Sequence, residues 1–162
     1  MKIAKVRSVK TPVRGTAQSA GIDFFVPNDF TEEILLPRRD LLIPSGIKVS
    51  VPKGYMLMAA EKSGVVTSRN AAIAAGRKPK LGAFESVVVL GAKIVDEDYQ
   101  GEIHIHLVNV GQNYVIIKPG MKIAQFILVP VLYDTIEEVP ETELFSETSS
   151  RGDGGFGSTG NE

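Results

Sequence analysis

Short runs in which apolar and polar residues alternate fill most of the chain. The clearest is 102–109, where Ile103, Ile105 and Leu107 alternate with two histidines. Alternation with a period of two predicts a half-buried strand. Further apolar runs lie at 43–51, 55–60, 86–90, 114–118 and 122–129. Because Gly or Pro separates these runs at short intervals, the pattern predicts an all-β, jelly-roll-like domain.

One segment breaks the strand pattern. Residues 67–76 (TSRNAAIAAG) are rich in Ala, Thr67 or Ser68 can cap their start, and Gly76 can end them. These signals predict one short helix. We expect it to be a surface decoration, part of an insertion at about 67–83.

The two ends of the chain differ in composition. Residues 1–140 carry the predicted strands and form the expected β domain, whereas 141–162 are polar and Gly-rich. A polar segment cannot bury enough apolar surface to order itself, so 141–162 is predicted to be a flexible C-terminal arm.

Composition narrows the class of protein. The 162 residues carry 18 Lys and Arg against 19 Asp and Glu, a net charge of -1 that argues against a nucleic-acid-binding protein. The absence of Cys excludes disulfides and thiolate chemistry. No apolar stretch is long enough to span a bilayer, and the first residues do not resemble a signal peptide. We therefore expect no membrane association and a cytoplasmic location.

Five short segments together resemble one known family. In chain order they are AGIDFF (20–25), EKSG (61–64), GAKIVDEDYQG (91–101), PGMKIAQ (119–125) and RGDGGFGSTG (151–160). The chain resembles the trimeric dUTPases, which hydrolyse dUTP to dUMP and pyrophosphate. The resemblance implies a jelly-roll-like fold, a homotrimer whose active sites are shared between subunits, and Mg²⁺ as cofactor.

The Gly-rich tail allows two interpretations. A disordered linker is the common meaning of such a composition. Glycines also let backbone N–H groups converge on phosphate oxygens, and Arg151 adds a bidentate cation. The resemblance implies that Phe156 stacks on uracil, that Arg151 reaches the γ-phosphate, and that further phosphate contacts come from Gly157, Ser158 and Thr159.

Three acidic residues at 96–98 precede the alternating strand. From spacing alone, a charged hairpin turn and a carboxylate that takes a proton from water both remain open. The resemblance implies that Asp96 is the general base. It also implies that Tyr99 lies against deoxyribose and excludes a 2′-hydroxyl, although simple packing of the ring on the hairpin remains an alternative.

The other three segments supply candidate phosphate ligands. The resemblance implies that Asp23 holds a magnesium–triphosphate through metal-bound water, which suits an ion that keeps several waters. It also implies substrate contacts from four residues, namely Lys62, Ser63, Gly64 and Gln125. A turn carboxylate at Asp23 and a solvent-facing amide at Gln125 stay open as alternatives.

The chain departs from the family pattern at three places. The family's Pro-Arg-Ser is replaced by Glu61, Lys62 and Ser63, and Lys replaces a planar guanidinium with a point charge. Glu61 would be unfavourable if it faced a triphosphate. Lys93 stands where the family has Gly, in the hairpin that recognises uracil largely through backbone groups. The third departure is the insertion.

Three rival functions stay open. A dCTP deaminase has a similar fold, but its catalytic Glu falls at His106 here, which argues against it. The substitutions at Lys62 and Lys93 keep open a dUTP-binding regulatory protein with weak turnover, or a nucleotidase for a modified dUTP.

His104 and His106 share one strand face as a conceivable metal pair, but solvent-facing histidines are the simpler interpretation.

Overall fold

The computed structural model describes residues 1–62 and 88–154. Within these ranges the chain forms twelve strands, which we number β1 (Lys2–Lys5), β2 (Val13–Arg14), β3 (Ile22–Phe25), β4 (Glu33–Leu35), β5 (Asp40–Pro44), β6 (Ile47–Ser50), β7 (Tyr55–Ala60), β8 (Val88–Leu90), β9 (Ile94–Val95), β10 (His104–Asn109), β11 (Val115–Ile117) and β12 (Lys122–Pro130). The all-β prediction is confirmed, and β7 and β12 match the predicted runs within a residue. The predicted helix at 67–76 lies outside the described residues.

The strands pair antiparallel in four sheets. The largest has five strands in the order β2-β3-β12-β7-β9, and a three-stranded sheet has the order β5-β10-β8. Two further pairs join β1 to β6 and β4 to β11. Apart from β2 and β3, neighbours in the large sheet are distant in sequence, so residues from four separate segments of the chain meet on adjacent strands.

One apolar core underlies these sheets. The alternation in β10 holds, since Ile105 and Leu107 are each 1% exposed while His104 is exposed. In the large sheet, the rings of Phe24 on β3 and Phe126 on β12 pack with their centroids 4.4 Å apart. Such a tilted aromatic contact adds to the gain from burial. The core therefore fixes the register of β3 and β12.

The chain divides into two compact units, residues 1–132 and 133–162. In the described part of the second unit, a short 3₁₀-helix covers Glu141–Glu143 and a turn is closed by a 2.8 Å hydrogen bond from Arg151 Nε to Gly154 O. Ile136 is 98% exposed. No helix in the described ranges has the length and apolarity needed to span a bilayer.

Leu57 tests the packing of the central sheet. It lies on β7 and is fully buried, so Leu57→Ala should lower the free energy of unfolding by about 2–5 kcal/mol. Urea denaturation measures this loss. The matched control is Leu36→Ala. Because Leu36 is 53% exposed, this substitution should lower the free energy of unfolding by about 0.5 kcal/mol or less. Equal losses at the two positions would contradict the core assignment.

Candidate functional site

Strand pairing in the large sheet brings three of the five motif segments together. On β12, Gln125 lies opposite Asp23 of β3 on one side and Ala60 of β7 on the other. Glu61 and Lys62 follow directly after β7. The side chains of opposite residues in an antiparallel pair lie on the same face. Asp23, Gln125 and Lys62 therefore meet at one place, as the resemblance implies for a phosphate site.

Asp23 is a buried carboxylate held between two ammonium groups. Its Oδ1 accepts a hydrogen bond from Lys62 Nζ, and its Oδ2 lies 3.0 Å from Lys122 Nζ. The Asp23 side chain is 7% exposed. Burial raises the pKa of Asp23, but the hydrogen bonds from the two lysines lower it by more, so the carboxyl pKa lies below its ordinary value. Asp23 is therefore a fixed anion that holds two cations.

Lys122 is a site residue that the strand alternation misassigns. It lies three positions before Gln125, so strict alternation puts the two side chains on opposite faces of β12. The register instead shifts between Lys122 and Ala124, and Lys122 lies opposite Phe25. Such a bulge turns the preceding side chain to the other face. Lys122 thus joins Asp23, and its ammonium lies 5.7 Å from the centre of the Phe25 ring.

Gln125 is fixed from both ends. Its Nε2 donates a 3.0 Å hydrogen bond to the backbone oxygen of Glu61. The amide oxygen of Gln125 lies so close to Gly21 that a Cβ at position 21 would be 2.0 Å from Oε1. Only a glycine permits this approach without displacing the amide. The Gly in the first motif therefore gives Gln125 its position.

Two of the departures from the family pattern contact each other. Glu61 Oε1 lies 2.6 Å from Lys93 Nζ and accepts a 3.3 Å hydrogen bond from the backbone N–H of Leu90. The hydrogen bond from Lys93 lowers the pKa of Glu61 against the opposing effect of burial. Glu61 therefore remains ionised at neutral pH, and its charge is compensated by Lys93.

The candidate base lies just after β9, in a segment that is not a β-hairpin, because β9 pairs with β7 and β10 belongs to the three-stranded sheet. Asp96 is exposed, and its carboxylate makes no hydrogen bond or ion pair with another residue of the described ranges. The ring of Tyr99 folds over Gly101, and its hydroxyl donates a 2.9 Å hydrogen bond to Glu102 O. A cavity of about 190 Å³ lies between them, lined by Ile94, Val95, Asp96, Tyr99, Ile103 and His104. Tyr99 thus packs on the loop between β9 and β10 and also forms a wall of the cavity.

The cavity and the lysine cluster lie apart in one chain. Ile94 on β9 pairs with Met58 on β7. Asp96 lies two residues beyond Ile94 in one direction along the strands. Ala60, which lies opposite Gln125, is two residues beyond Met58 in the other direction. At 3.3 Å per residue, Asp96 and Gln125 are about 13 Å apart along the strands. Of the described residues, those that line the cavity include no Lys or Arg.

The two histidines have separate partners. His104 Nδ1 lies 2.9 Å from Glu102 O. His106 Nε2 lies 3.0 Å from Asp40 Oδ2, and its Nδ1 accepts a 3.3 Å hydrogen bond from Ala92 N–H. Over residues 1–62 and 88–154, no three His, Cys, Asp or Glu side chains are grouped as a metal site would need.

Asp23 fits only one kind of magnesium site. It is a single carboxylate with both oxygens engaged by ammonium groups, so it suits an ion that keeps its waters and takes its other ligands from phosphates. It does not suit an ion held by the protein alone.

Several residues named from the sequence lie outside the described ranges. They are Ser63, Gly64, Phe156, Gly157, Ser158 and Thr159. Arg151 belongs to the second unit, where it is exposed. Their roles remain predictions.

Comparison with protein families gives a match over almost the whole chain. The family model described as dUTPase matches residues 7–160. The chain is 39% identical over 127 residues to the deoxyuridine 5'-triphosphate nucleotidohydrolase of Chlamydia pneumoniae, covering 78% of this chain and 74% of the relative. It is 34% identical over 164 residues to the protein of that name from Brucella melitensis biotype 1, covering 99% and 90%.

Solved structures share the fold. The dUTPase of Staphylococcus bacteriophage 80alpha, solved with dUpNHpp, superposes with a TM-score of 0.76 at 22% identity over 98% of this chain and 97% of that chain. The dUTPase of phage phi11 of S. aureus gives 0.68 at 20% identity over 89% and 98%. The jelly-roll-like fold prediction is therefore confirmed.

The charge state of Asp23 gives a pH test. Because its folded pKa is lowered, its contribution to stability is complete above the unfolded carboxyl pKa of about 3.9 and is lost as the pH falls through the lower folded pKa. Asp23→Asn should destabilise the protein by about 2 kcal/mol at pH 6. We expect this difference from the unsubstituted protein to shrink below about pH 4.

Urea unfolding at several pH values between about 3 and 6 measures this difference. The control is Glu32→Gln, which removes the exposed ion pair of 3.3 Å with Lys118 and should change stability by less than about 1 kcal/mol. A difference for Asp23→Asn that stays constant with pH would contradict the assignment.

Proposed function

This chain belongs to the dUTPase family, and from this premise we propose that it hydrolyses dUTP to dUMP and pyrophosphate. The family match over residues 7–160 carries the proposal, because it includes all five motif segments. Support from the geometry is the cavity that places Asp96 beside Tyr99. The nucleoside would occupy this cavity, with the deoxyribose against the Tyr99 ring.

The reaction is an in-line displacement at the α-phosphorus. A water molecule attacks, and the Asp96 carboxylate takes its proton as the new P–O bond forms. The bond from the α-phosphorus to the bridging oxygen breaks, and pyrophosphate leaves with that oxygen. An exposed carboxylate that has no ion pair in the described ranges suits this role. No covalent intermediate is needed, so the lack of Cys is no obstacle.

The lysine cluster supplies the charge for the triphosphate. Lys62 and Lys122 are held at Asp23, and the Gln125 amide is fixed beside them. Such preorganised groups bind developing negative charge without reorganising at the moment of reaction. We place Ser63 and Gly64, which follow Lys62, in the same role. Lys122 extends the set beyond the residues named from sequence.

Magnesium would arrive with the triphosphate. The phi11 phage dUTPase is described with a structural Mg(II) ion. In this chain Asp23 would hold the ion through bound water, and the ion would supply further neutralisation of the phosphate charge. The chain's own part is to keep Asp23 ionised beside the phosphates, which Lys62 and Lys122 do.

One active site would draw on more than one subunit. The cavity at Asp96 and the lysines at Asp23 are about 13 Å apart along the sheet, too far for one α-phosphate to contact both. A homotrimer, as the family resemblance implies, would bring the cavity of one subunit to the lysines of another. Symmetric closure of this kind is common among oligomers.

The C-terminal arm would complete the site. Arg151 would bind the γ-phosphate and Phe156 would stack on uracil, with Gly157, Ser158 and Thr159 as further phosphate contacts. Closure of a segment over the substrate excludes water other than the nucleophile. The arm would thus act as the lid of the shared site.

The rival functions have less support. The curated relatives and solved structures are named as dUTPases, and His106 with its partner Asp40 takes the place of a deaminase Glu. Lys93 is engaged by Glu61, so it does not stand alone as a ligand for a changed base. The proposal of dUTP hydrolysis therefore stands over deamination, regulation and action on a modified base.

The role of Asp96 is tested by pyrophosphate release. We expect the unsubstituted protein with Mg²⁺ to release pyrophosphate from dUTP in preference to dTTP, dCTP and UTP. Asp96→Asn should lower kcat for dUTP by at least about 100-fold, since it removes the proton acceptor. Circular dichroism and urea unfolding should be unchanged. Full turnover in Asp96→Asn, or equal rates on all four nucleotides, would refute the proposal.

The role of the arm is tested by truncation after Ser150. The shortened protein should stay folded, because the first unit ends at Leu132, but should release pyrophosphate at least about 100-fold more slowly. Phe156→Leu provides a milder change that removes only the aromatic stack. A truncated protein with the full rate would show that the arm is an inert linker.

A further inference from the structure

We propose that Glu61 and Lys93 form a positioning pair that holds the segment 91–101 against the end of β7 and so sets how the nucleoside is bound. This inference rests on the proposed function. It assigns one joint role to two residues that depart from the family pattern.

The segment 91–101 depends on anchors outside its own strand. Strand β9 has only two residues, Ile94 and Val95, which pair with β7, and two ladder positions provide weak pairing. Ile94 is 63% exposed, whereas Val95 packs against the core. The backbone N–H of Gly54 donates a 2.6 Å hydrogen bond to Glu97. Asp96 therefore lies between this anchor at Glu97 and the contacts that hold residues 91–93.

Glu61 provides those contacts on one side. Its Oε1 reaches Lys93 Nζ at 2.6 Å and Leu90 N–H at 3.3 Å, while the backbone N–H of Ala59 donates a 2.6 Å hydrogen bond to Lys93 O. Leu90 ends β8 in the three-stranded sheet, and Lys93 directly precedes β9 in the five-stranded sheet. Residues 90–93 form the crossing, where the chain passes from one sheet to the other. The Glu61 carboxylate thus contacts both ends of this crossing.

His106 holds the same crossing from another strand. Its ring lies so close to Gly91 that a Cβ there would be 2.2 Å from Nδ1, and that nitrogen accepts the Ala92 N–H at 3.3 Å. Asp40 fixes the other ring nitrogen at 3.0 Å. His106 thereby fixes residues 91–92, and Lys93 is held by Ala59 through its backbone and by Glu61 through its side chain.

Glu61 also connects the segment 91–101 to the candidate phosphate-binding groups. Its backbone oxygen accepts the hydrogen bond from Gln125, and Lys62 follows it in sequence. The side chain thus positions the segment that carries Asp96, while the backbone positions the Gln125 amide. The negative charge of Glu61 is compensated by Lys93.

The experiment is a double-mutant cycle on the whole protein. Glu61→Gln and Lys93→Met should each raise KM for dUTP about three- to fivefold, the range of a partly exposed ion pair, with kcat changed less than about twofold. The ratio of kcat/KM for dUTP over dCTP should fall by a similar factor, because base discrimination needs correctly placed polar groups. Combining the two changes should add nothing further.

Rescue separates positioning from a merely structural role. The charge-exchanged protein, Glu61→Lys with Lys93→Glu, restores the ion pair but not the hydrogen bond that Glu61 accepts from Leu90 N–H, so its KM and dUTP/dCTP ratio should lie closer to the unsubstituted values than those of either single variant. The matched control Glu32→Gln breaks the exposed pair with Lys118 and should leave both quantities unchanged. Additive effects of the single substitutions, or loss of kcat without change in KM, would overturn the proposal.

Amide hydrogen exchange makes the test independent of the reaction. Loss of the pair should speed exchange at Ile94–Val95 about three- to fivefold through more frequent separation of β9 from β7. If the unsubstituted protein failed to hydrolyse dUTP, the proposed function would fall, while this measurement would still decide whether Glu61 and Lys93 hold the segment 91–101. Unchanged exchange in Glu61→Gln would refute the positioning role.

Discussion

The register of β12 is the constraint on which the candidate phosphate site depends. Gln125 stands opposite Asp23 and Ala60, and the bulge before Ala124 turns Lys122 to the same face. A slip by one residue would move every side chain of the strand to the other face. Burial of Phe126 against Phe24 opposes such a slip. Core packing on one face of the sheet therefore maintains the polar arrangement on the other.

Charges alternate along that arrangement. Lys122 and Lys62 flank Asp23, and Glu61, next in the chain to Lys62, pairs with Lys93. Each acid restrains the lysine side chains that contact it before any ligand binds. The entropy cost of ordering those side chains is therefore smaller when an anion binds. The three lysines exceed the two acids by one positive charge, so the cluster attracts an anion and still keeps its geometry without one.

The sequence predicted the strands and the fold class better than it predicted contacts between segments. Tyr55–Ala60 was predicted as it is found, because its apolar run and flanking turns are local signals. Lys122 was missed because a bulge interrupts the alternation. The contact of Glu61 with Lys93 joins residues 32 positions apart, and no local pattern indicates it. Asp96 was named through family resemblance, since its spacing alone fits a charged turn equally well.

The separation of Asp96 from the lysines has a chemical reason. Asp23 shows what two ammonium groups do to a carboxylate in this sheet, for its pKa is lowered even though it is buried. A carboxylate held in that way is a poor proton acceptor. Asp96 is exposed and has no such partner within the described ranges, so no ammonium group there competes with a water molecule for its oxygens. A chain that placed both carboxylates beside the same lysines would bind the triphosphate but would also engage the oxygens of its proposed base, and the proposed division of the site between subunits would avoid that conflict.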